Sequence, residues 1–302
     1  MDEPPKLRRR PAAPVVRRRL VGLAIVITLI AVGVWAATAA INKVRKTSTP
    51  ATTAAPAPPP TYRIIFPEGF TREEMAERIR AVNGIALRTR HFRTHLKVGD
   101  YLALTGSSAL PGEYAGDGKA RSLEGFLFPA EYDLFATDTA SRLVNDQLAK
   151  FRHQFGRVGL RYAASKNLTR YDVLIIASMI EKEAVVDKER PLIAAVIYNR
   201  LHARMPLAID ATIRYALHVP GTKSLTQADL RDPSPYNTRL NLGLPPTPIS
   251  NPGLKSLRAA AHPAHVDYLY YVAKPDKRHH FFTASAEAFQ AYAAAHGYGP
   301  HP

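Results

Sequence analysis

The chain has 302 residues, of which 46% are apolar, enough for one large or two modest domains with a hydrophobic core. It contains no cysteine, which excludes disulfides and thiolate metal sites. Half of its formal net charge of +16 lies in residues 1–46 and no nucleic-acid-binding motif follows, so we expect no nucleic-acid partner.

The N-terminal region predicts a membrane anchor. Residues 20–41 carry no charge and are long enough to cross a bilayer as one helix. Seven Lys and Arg residues lie in the basic arm, residues 1–19, and three follow the helix, so we expect a single-pass protein of the cytoplasmic (inner) membrane. By the same rule its N-terminus is in the cytoplasm and the rest on the outer side. The alternative is a cleaved signal peptide, whose apolar core is usually shorter.

A proline-rich linker and a small module follow the anchor. Residues 42–60 cannot form a core and predict an extended spacer. Residues 61–110 predict a strand from Tyr62, a helix capped by Thr71 with Glu74 at the capping-box position, and a weaker helix over 91–104. This order is similar to LysM-like pieces of cell-wall proteins, although a plain structural lobe would have the same pattern.

The most informative element is a predicted helix over residues 169–184. Thr169 and Asp172 form a capping-box pattern, and residues 173–180 are apolar on almost every face, which is typical of a buried helix. Glu181 follows this apolar run directly. A carboxyl group among apolar neighbours stays protonated near neutrality and can act as a general acid, although Glu181 to Glu183 could equally be the solvated end of the helix.

The rest of the chain predicts further helices and two strands. Helices are expected over 140–155 and 191–201, with Asn199 at the end of the latter, and Asp210 stands where it could cap a short helix or contact substrate. Residues 233–252 are rich in proline and predict an ordered loop that forms a binding wall. Strands are expected near the C-terminus, so the fold class is α+β.

The sequence gives no sign of a cofactor. His279 and His280 are adjacent and point to opposite faces of a strand, so we expect no metal site there. No glycine-rich phosphate loop and no GxSxG motif occur, which argues against nucleoside triphosphatases and serine hydrolases.

Six motifs occur in one order between residues 62 and 290: LEGFLFPAEYDLF, ASMIEKEA, VIYNRL, MPLAID, SPYNTRLNLGLPPTPISNPG and DYLYYVA. Together they resemble the endolytic murein transglycosylases of bacteria, the MltG or YceG-like family. The resemblance implies a catalytic domain over residues 120–292, followed by a tail over 293–302. It also implies an enzyme that cuts nascent peptidoglycan between MurNAc and GlcNAc, leaves 1,6-anhydro-MurNAc ends and limits strand length. Peptidoglycan strands, the cytoplasmic membrane and peptidoglycan synthases are the implied partners.

The resemblance also implies the site residues. The catalytic glutamate is taken as the first of the EKE motif, which is Glu181. The residues expected to shape the substrate, each of which could instead hold its own loop together, are Glu124, Asn199, Asp210, Tyr236, Asn237 and Thr238.

Two other functions stay open at this point. A glycan hydrolase would use Glu181 with a second carboxylate, Asp210 or Glu183. A non-catalytic scaffold would bind cell-wall glycan or an anionic polymer without cutting it.

Overall fold

A computed structural model describes residues 13–47, 58–114 and 120–298. The chain divides into two compact units at Pro58 and Pro59, and each is described by itself. Most of the predicted basic arm and linker, and residues 299–302 of the predicted tail, lie outside the described residues.

In the first unit, the described residues form the helix α1 (Ala13–Thr47). Within it, Ala24–Lys43 is long and apolar enough to cross a membrane, judged by length and composition, and its apolar side chains are exposed. The predicted N-terminal apolar helix is therefore confirmed as a helix.

The described residues of the second unit form helices and three small antiparallel sheets, which agrees with the predicted α+β class. Its longer helices are α2 (Arg72–Arg90), α3 (Val98–Gly106), α4 (Ala140–Phe155), α6 (Arg170–Glu183), α7 (Arg190–His202), α10 (Leu254–Ala261) and α11 (Ala286–Ala295). Its short helices are α5 (Arg161–Ser165), α8 (Asp210–Ala216) and α9 (Gln227–Leu230). Its strands are β1 (Thr61–Ile65), β2 (Ser108–Ala109), β3 (Ala120–Arg121), β4 (Glu131–Phe135), β5 (Tyr270–Ala273) and β6 (His280–Thr283).

The predicted small module is closed by a strand from further along the chain. β1 pairs antiparallel with β4, with Tyr62 opposite Leu134, and the helices α2 and α3 and the short strands β2 and β3 lie between them along the chain. The Thr71 capping box at the start of α2 is confirmed. The predicted second helix begins only at Val98, because His91 takes a left-handed conformation that ends α2 and residues 91–97 form a connection.

Helix α6 lies at the centre of the unit. The capping box of Thr169 and Asp172 is present, and every residue from Val173 to Ile180 is buried. Helices α7 and α10 pack against it. The proline-rich loop is attached to the same helix, since the Ile249 N–H donates to the Ser178 hydroxyl over 3.0 Å. α6 therefore presents its C-terminal residues to several elements at once.

Candidate active site

The C-terminal turn of α6 carries two carboxylates that point to different sides. Glu181 and Glu183 are two positions apart, which is about 200° around a helix. Glu181 faces α10 and the start of α7, whereas Glu183 faces α8 and β5. The two carboxylates therefore have different chemical surroundings.

Glu181 is held in a buried ion pair. Its Oε1 lies 3.1 Å from Arg190 Nη1, and its Oε2 accepts a hydrogen bond from the Gly253 N–H over 2.9 Å. The side chains of Glu181 and Arg190 are only 5% and 9% exposed. The sequence left open apolar neighbours or a solvated helix end, and the carboxylate instead meets this arginine and the amide that precedes α10. The contacts join α6, α7 and α10.

Glu183 faces a cleft instead. The Tyr271 hydroxyl donates to its Oε2 over 3.3 Å, and the backbone amide of Ala211 also points to it. Burial raises the pKa of the Glu183 carboxyl, and the negative charge of Asp210 raises it further. The residue nevertheless keeps some accessible surface. Glu183 thus combines a raised pKa with access from the cleft.

The cleft consists of two cavities that share Glu183 and Asp210. Cavity A has a volume of about 440 Å³ and cavity B about 460 Å³, both in the range of ligand sites. The polar and aromatic lining of cavity A includes Glu183, Arg200, Asp210, Arg239, Tyr271 and His280. The lining of cavity B includes Glu73, Lys182, Glu183, Asp210, Arg214 and Tyr215. Glu181 lines neither cavity.

Asp210 is the predicted substrate residue that the structure brings to Glu183. Its Oδ1 lies 2.6 Å from Arg239 Nη2, and its side chain is 46% exposed. It stands in the first turn of α8, with Ile209 at the N-cap position, so the predicted capping role is not the one observed. Thr238 positions this turn, because its hydroxyl accepts from the Ile209 N–H over 3.0 Å.

Three other predicted substrate residues are buried and bonded within the protein. Glu124 is 0% exposed and accepts hydrogen bonds from the Arg72 N–H, the Asn251 side chain and the Tyr215 hydroxyl. Burial raises the pKa of Glu124 to about 8. Asn237 and Thr238 are 0% and 2% exposed. These three have almost no accessible surface and hold the walls in place, which is the alternative that the sequence left open. Their contact with substrate stays a prediction.

The remaining two predicted residues also hold loops. The Asn199 side chain donates to the carbonyls of Val266 and Tyr268, both over 2.9 Å, which fixes the chain ahead of β5. The Tyr236 hydroxyl lies 2.7 Å from the Thr247 hydroxyl across the proline-rich loop. Neither residue is among those that line the two cavities.

Sequence reasoning missed several residues of the cleft. Tyr271 and Arg239 line cavity A, yet each lies in a segment whose pattern predicted only a strand or a loop. Arg200 lines it too, at the C-terminal end of the helix predicted over 191–201, where polar side chains can turn toward a cleft. The Arg200 guanidinium donates to the carbonyls of Leu269 and Leu207, over 2.6 and 2.7 Å. The signal that could have identified Tyr271 is the run of tyrosines that precedes it, because a short strand needs fewer aromatic side chains than this for packing.

The two adjacent histidines are each paired with an acid. His279 Nδ1 lies 2.8 Å from Asp276, and His280 Nδ1 lies 2.7 Å from the buried Glu189. Within residues 13–47, 58–114 and 120–298, no three His, Asp or Glu side chains form a group suited to a metal ion.

Comparisons with known proteins agree on one family. A model of the YceG-like family matches residues 35–295. The endolytic murein transglycosylase of Bacillus subtilis is 40% identical over 152 residues, which is 50% of this chain and 42% of that protein. The one from Streptococcus pneumoniae strain R6 is 32% identical over 254 residues, 80% of this chain and 46% of that protein. The chain thus spans about half the length of these curated relatives.

A solved structure has the same fold. The crystal structure of a yceG-like protein from Listeria monocytogenes superposes with a TM-score of 0.63 at 30% sequence identity. The match covers 83% of this chain and 80% of that chain.

Proposed function

The chain belongs to the YceG-like family, and we propose that it is, like the curated relatives named above, an endolytic murein transglycosylase. The observation that carries the proposal is the position of Glu183, whose pKa is raised and which lies where cavities A and B meet. In this proposal the strand lies across the shared residues Glu183 and Asp210, with sugar units in both cavities and the bond to be cut between them. This arrangement suits cleavage within a strand.

We infer that Glu183, in preference to Glu181, is the proton donor. A general acid must reach the leaving oxygen and be protonated near neutrality. Glu183 lines the cleft, and burial raises its pKa above the ordinary carboxyl value, which favours the protonated acid. The Glu181 carboxylate is instead paired with the Arg190 guanidinium and accepts a hydrogen bond from the Gly253 N–H. The resemblance-based choice of Glu181 stays a prediction, which the experiment below tests directly.

The proposed reaction needs only one carboxyl group. Glu183 protonates the glycosidic oxygen while the bond between the MurNAc anomeric carbon and that oxygen breaks. The C6 hydroxyl of the same sugar then bonds to the anomeric carbon and returns its proton to the Glu183 carboxylate. The product is a 1,6-anhydro-MurNAc end, and the acid is regenerated. Holding this hydroxyl in place is an intramolecular step that positioning by the walls makes efficient.

Asp210 supports a second reading of the same site. It lines both cavities with Glu183, so it could serve as the base that activates a water molecule in a hydrolase. A hydrolytic product is heavier by one water than the anhydro product. Mass spectrometry of the product ends therefore separates the two reactions.

The deciding experiment is digestion of uncrosslinked glycan by the wild-type protein and by two matched variants. Glu183→Gln should lower the rate at least about 100-fold, the usual contribution of a general acid. Glu181→Gln should keep most of the rate per folded molecule. If Glu181→Gln abolishes cleavage and Glu183→Gln does not, the assignment is reversed, and if neither variant matters, the enzyme proposal fails.

We further propose that α1 anchors the protein in the cytoplasmic membrane, with residues 59–302 on the outer side. The apolar segment Ala24–Lys43 and the excess of positive charge before it support this topology. Because the chain has no cysteine, Arg8→Cys and Ala284→Cys can each be tested with a membrane-impermeant maleimide on intact cells. Labelling of position 284 alone is expected, and labelling of position 8 alone would reverse the topology. Nascent peptidoglycan is the proposed substrate, and synthases that make it are the expected neighbours.

The pairing of β1 with β4, which have the helices α2 and α3 between them in the chain, supports the proposal that this part is LysM-like and contacts glycan. Hydrogen exchange of the Glu183→Gln protein with and without glycan tests it. Glycan should slow hydrogen exchange in α2 and α3. If glycan slowed exchange only in the cleft and not in these helices, they would be a structural lobe that does not contact glycan.

A further inference from the structure

A third cavity, which shares no lining residue with cavities A and B, carries an excess of positive charge. We call it cavity C, and its volume is about 450 Å³. The polar side chains that line it are Arg157, Asp187, Arg190, Lys255, Arg258 and His262. Acids and bases are mixed in the cleft, whereas here four cationic side chains face one carboxylate. Cavity C therefore has the charge expected of an anion-binding site.

Three elements bring these cations to one cavity. Lys255 and Arg258 are three positions apart in α10, so they share one face of that helix, and His262 follows at its C-cap position. Arg157 lies in the turn after α4, two residues before Gly159. A Cβ atom on Gly159 would lie 3.9 Å from His262 Cε1, so this turn is next to the end of α10. Helix α7, which supplies the fourth cation, also packs against α10.

Part of the charge is balanced within the protein. Lys255 Nζ lies 2.5 Å from Asp187 Oδ2, and Arg190 Nε lies 3.2 Å from Asp187 Oδ1. Arg190 also pairs with Glu181, which stands behind it at the end of α6. These two carboxylates oppose the two cations that they contact, so Lys255 and Arg190 need no further anion.

The other two cations are not balanced. Arg157 and Arg258 are exposed, and neither has an ion-pair partner within residues 13–47, 58–114 and 120–298. Two positive charges therefore remain at cavity C when His262 is counted as neutral. Val158, Pro191 and Ala259 complete an apolar part of the lining, so the cavity offers room for more than a small inorganic ion.

We propose that cavity C binds the phosphoryl group of a phosphate monoester. Such a group carries about 1.5 to 2 negative charges near pH 7, which matches the two unbalanced cations. Guanidinium groups suit phosphate oxygens, because they donate two parallel charge-assisted hydrogen bonds. A single carboxylate would neutralise only one of Arg157 and Arg258. The apolar part of the lining would contact the organic part of the ester.

The test is calorimetric titration of the full chain in a zwitterionic detergent with glycerol 3-phosphate, at physiological ionic strength. Arg157→Gln with Arg258→Gln should raise the Kd at least about tenfold, since a hydrogen bond to a charged group is worth about that factor or more. Arg93→Gln with Arg204→Gln is the matched control, because it removes the same charge from exposed residues that line none of the three cavities. Its Kd should stay within about twofold of the wild-type value, because salt screens charges outside the site.

Hydrogen exchange of the wild-type protein gives a second measurement that needs no variant. Glycerol 3-phosphate should slow exchange in residues 156–160 and in α10, and it should leave α8 in the cleft unchanged. The inference is overturned if glycerol 3-phosphate does not bind, if the Arg157 and Arg258 variant keeps the wild-type Kd, or if protection appears only in the cleft. Equal affinity for succinate, a dicarboxylate of the same charge, would also overturn it, because the site would then not select a phosphoryl group.

The phosphoryl group could belong to a lipid headgroup or to a soluble ester, and vesicles distinguish the two. The titration is repeated on the full chain in vesicles that contain phosphatidic acid, a phosphate monoester, or phosphatidylglycerol, a diester. If phosphatidic acid weakens binding of glycerol 3-phosphate more than phosphatidylglycerol does, a lipid headgroup competes for cavity C. Equal binding in both supports a soluble ester, and each of these results supports the site.

Discussion

Replacing Glu181 with glutamine tests how the structure divides the work between the two glutamates of α6. The change removes the charge that faces Arg190 but keeps the size of the side chain. Both side chains are more than nine-tenths buried, and their charged atoms are 3.1 Å apart. Loss of one partner of a buried pair typically costs 3–5 kcal/mol, because the other charge is left uncompensated. Glutamine can still accept from Gly253, and Asp187 also faces Arg190, so we expect about 3 kcal/mol of lost stability.

The measurement is a double-mutant cycle. Urea unfolding of the full chain in detergent, followed by circular dichroism, is compared for wild type, Glu181→Gln, Arg190→Met and the double variant. The double variant should be less unstable than the sum of the single variants, with a coupling of about 1–3 kcal/mol. Glu77→Gln is the control, because Glu77 and Arg80 form an exposed pair for which we expect less than about 1 kcal/mol. A coupling below about 0.5 kcal/mol would refute the buried-pair reasoning.

Three further predictions concern the site and its support. Burial raises the pKa of Glu124 to about 8, above its ordinary value near 4.5, so the fold favours the protonated acid. Wild-type stability should therefore fall by up to about 4 kcal/mol between pH 5 and 9. The Glu124→Gln variant should not show this fall. If melting experiments showed the same dependence of stability on pH for both proteins, the prediction would be contradicted. The hydrogen bond from the Tyr271 hydroxyl lowers the pKa of Glu183, whereas the negative charge of Asp210 raises it. In pH–rate profiles, Tyr271→Phe should thus move the alkaline limb to higher pH and Asp210→Asn to lower pH; shifts in one direction would show that Glu183 is not the titrating acid. Thr169→Ala removes the capping box of α6 and should lower the free energy of unfolding in urea by about 1 kcal/mol. The rate of glycan cleavage should not change. An unchanged urea midpoint would show that the cap contributes nothing to stability.

Much of the fold was readable from local patterns. The capping boxes at Thr71 and Thr169 mark the starts of α2 and α6, and helix periodicity marks α4 over the predicted residues. The apolar N-terminal helix follows from an uncharged run. These signals act over a few residues, because caps, periodicity and charge-free runs depend on neighbours along the chain.

The candidate site could be predicted only in part. The sequence pointed to the end of α6 and to Asp210, and both lie at the cleft. It did not show that Glu124 and Thr238 are buried, because their hydrogen-bond partners come from distant segments. Gly125 shows the same dependence: its φ of +88° is accompanied by a close approach to Pro248, more than a hundred residues later, and that contact sets the chain beside Glu124.

The sequence by itself determined that a buried helix ends in two carboxylates about 200° apart, since the pitch of an α-helix requires this separation. Only the tertiary structure decided which carboxylate faces the cleft. Arg190 and Gly253 reach Glu181 from one side, and Tyr271 and Asp210 lie on the side of Glu183. The physical reason is that burial and charge at a helix end are set by the elements that pack around it, and three of these four residues lie 27 to 88 positions from the glutamate they surround.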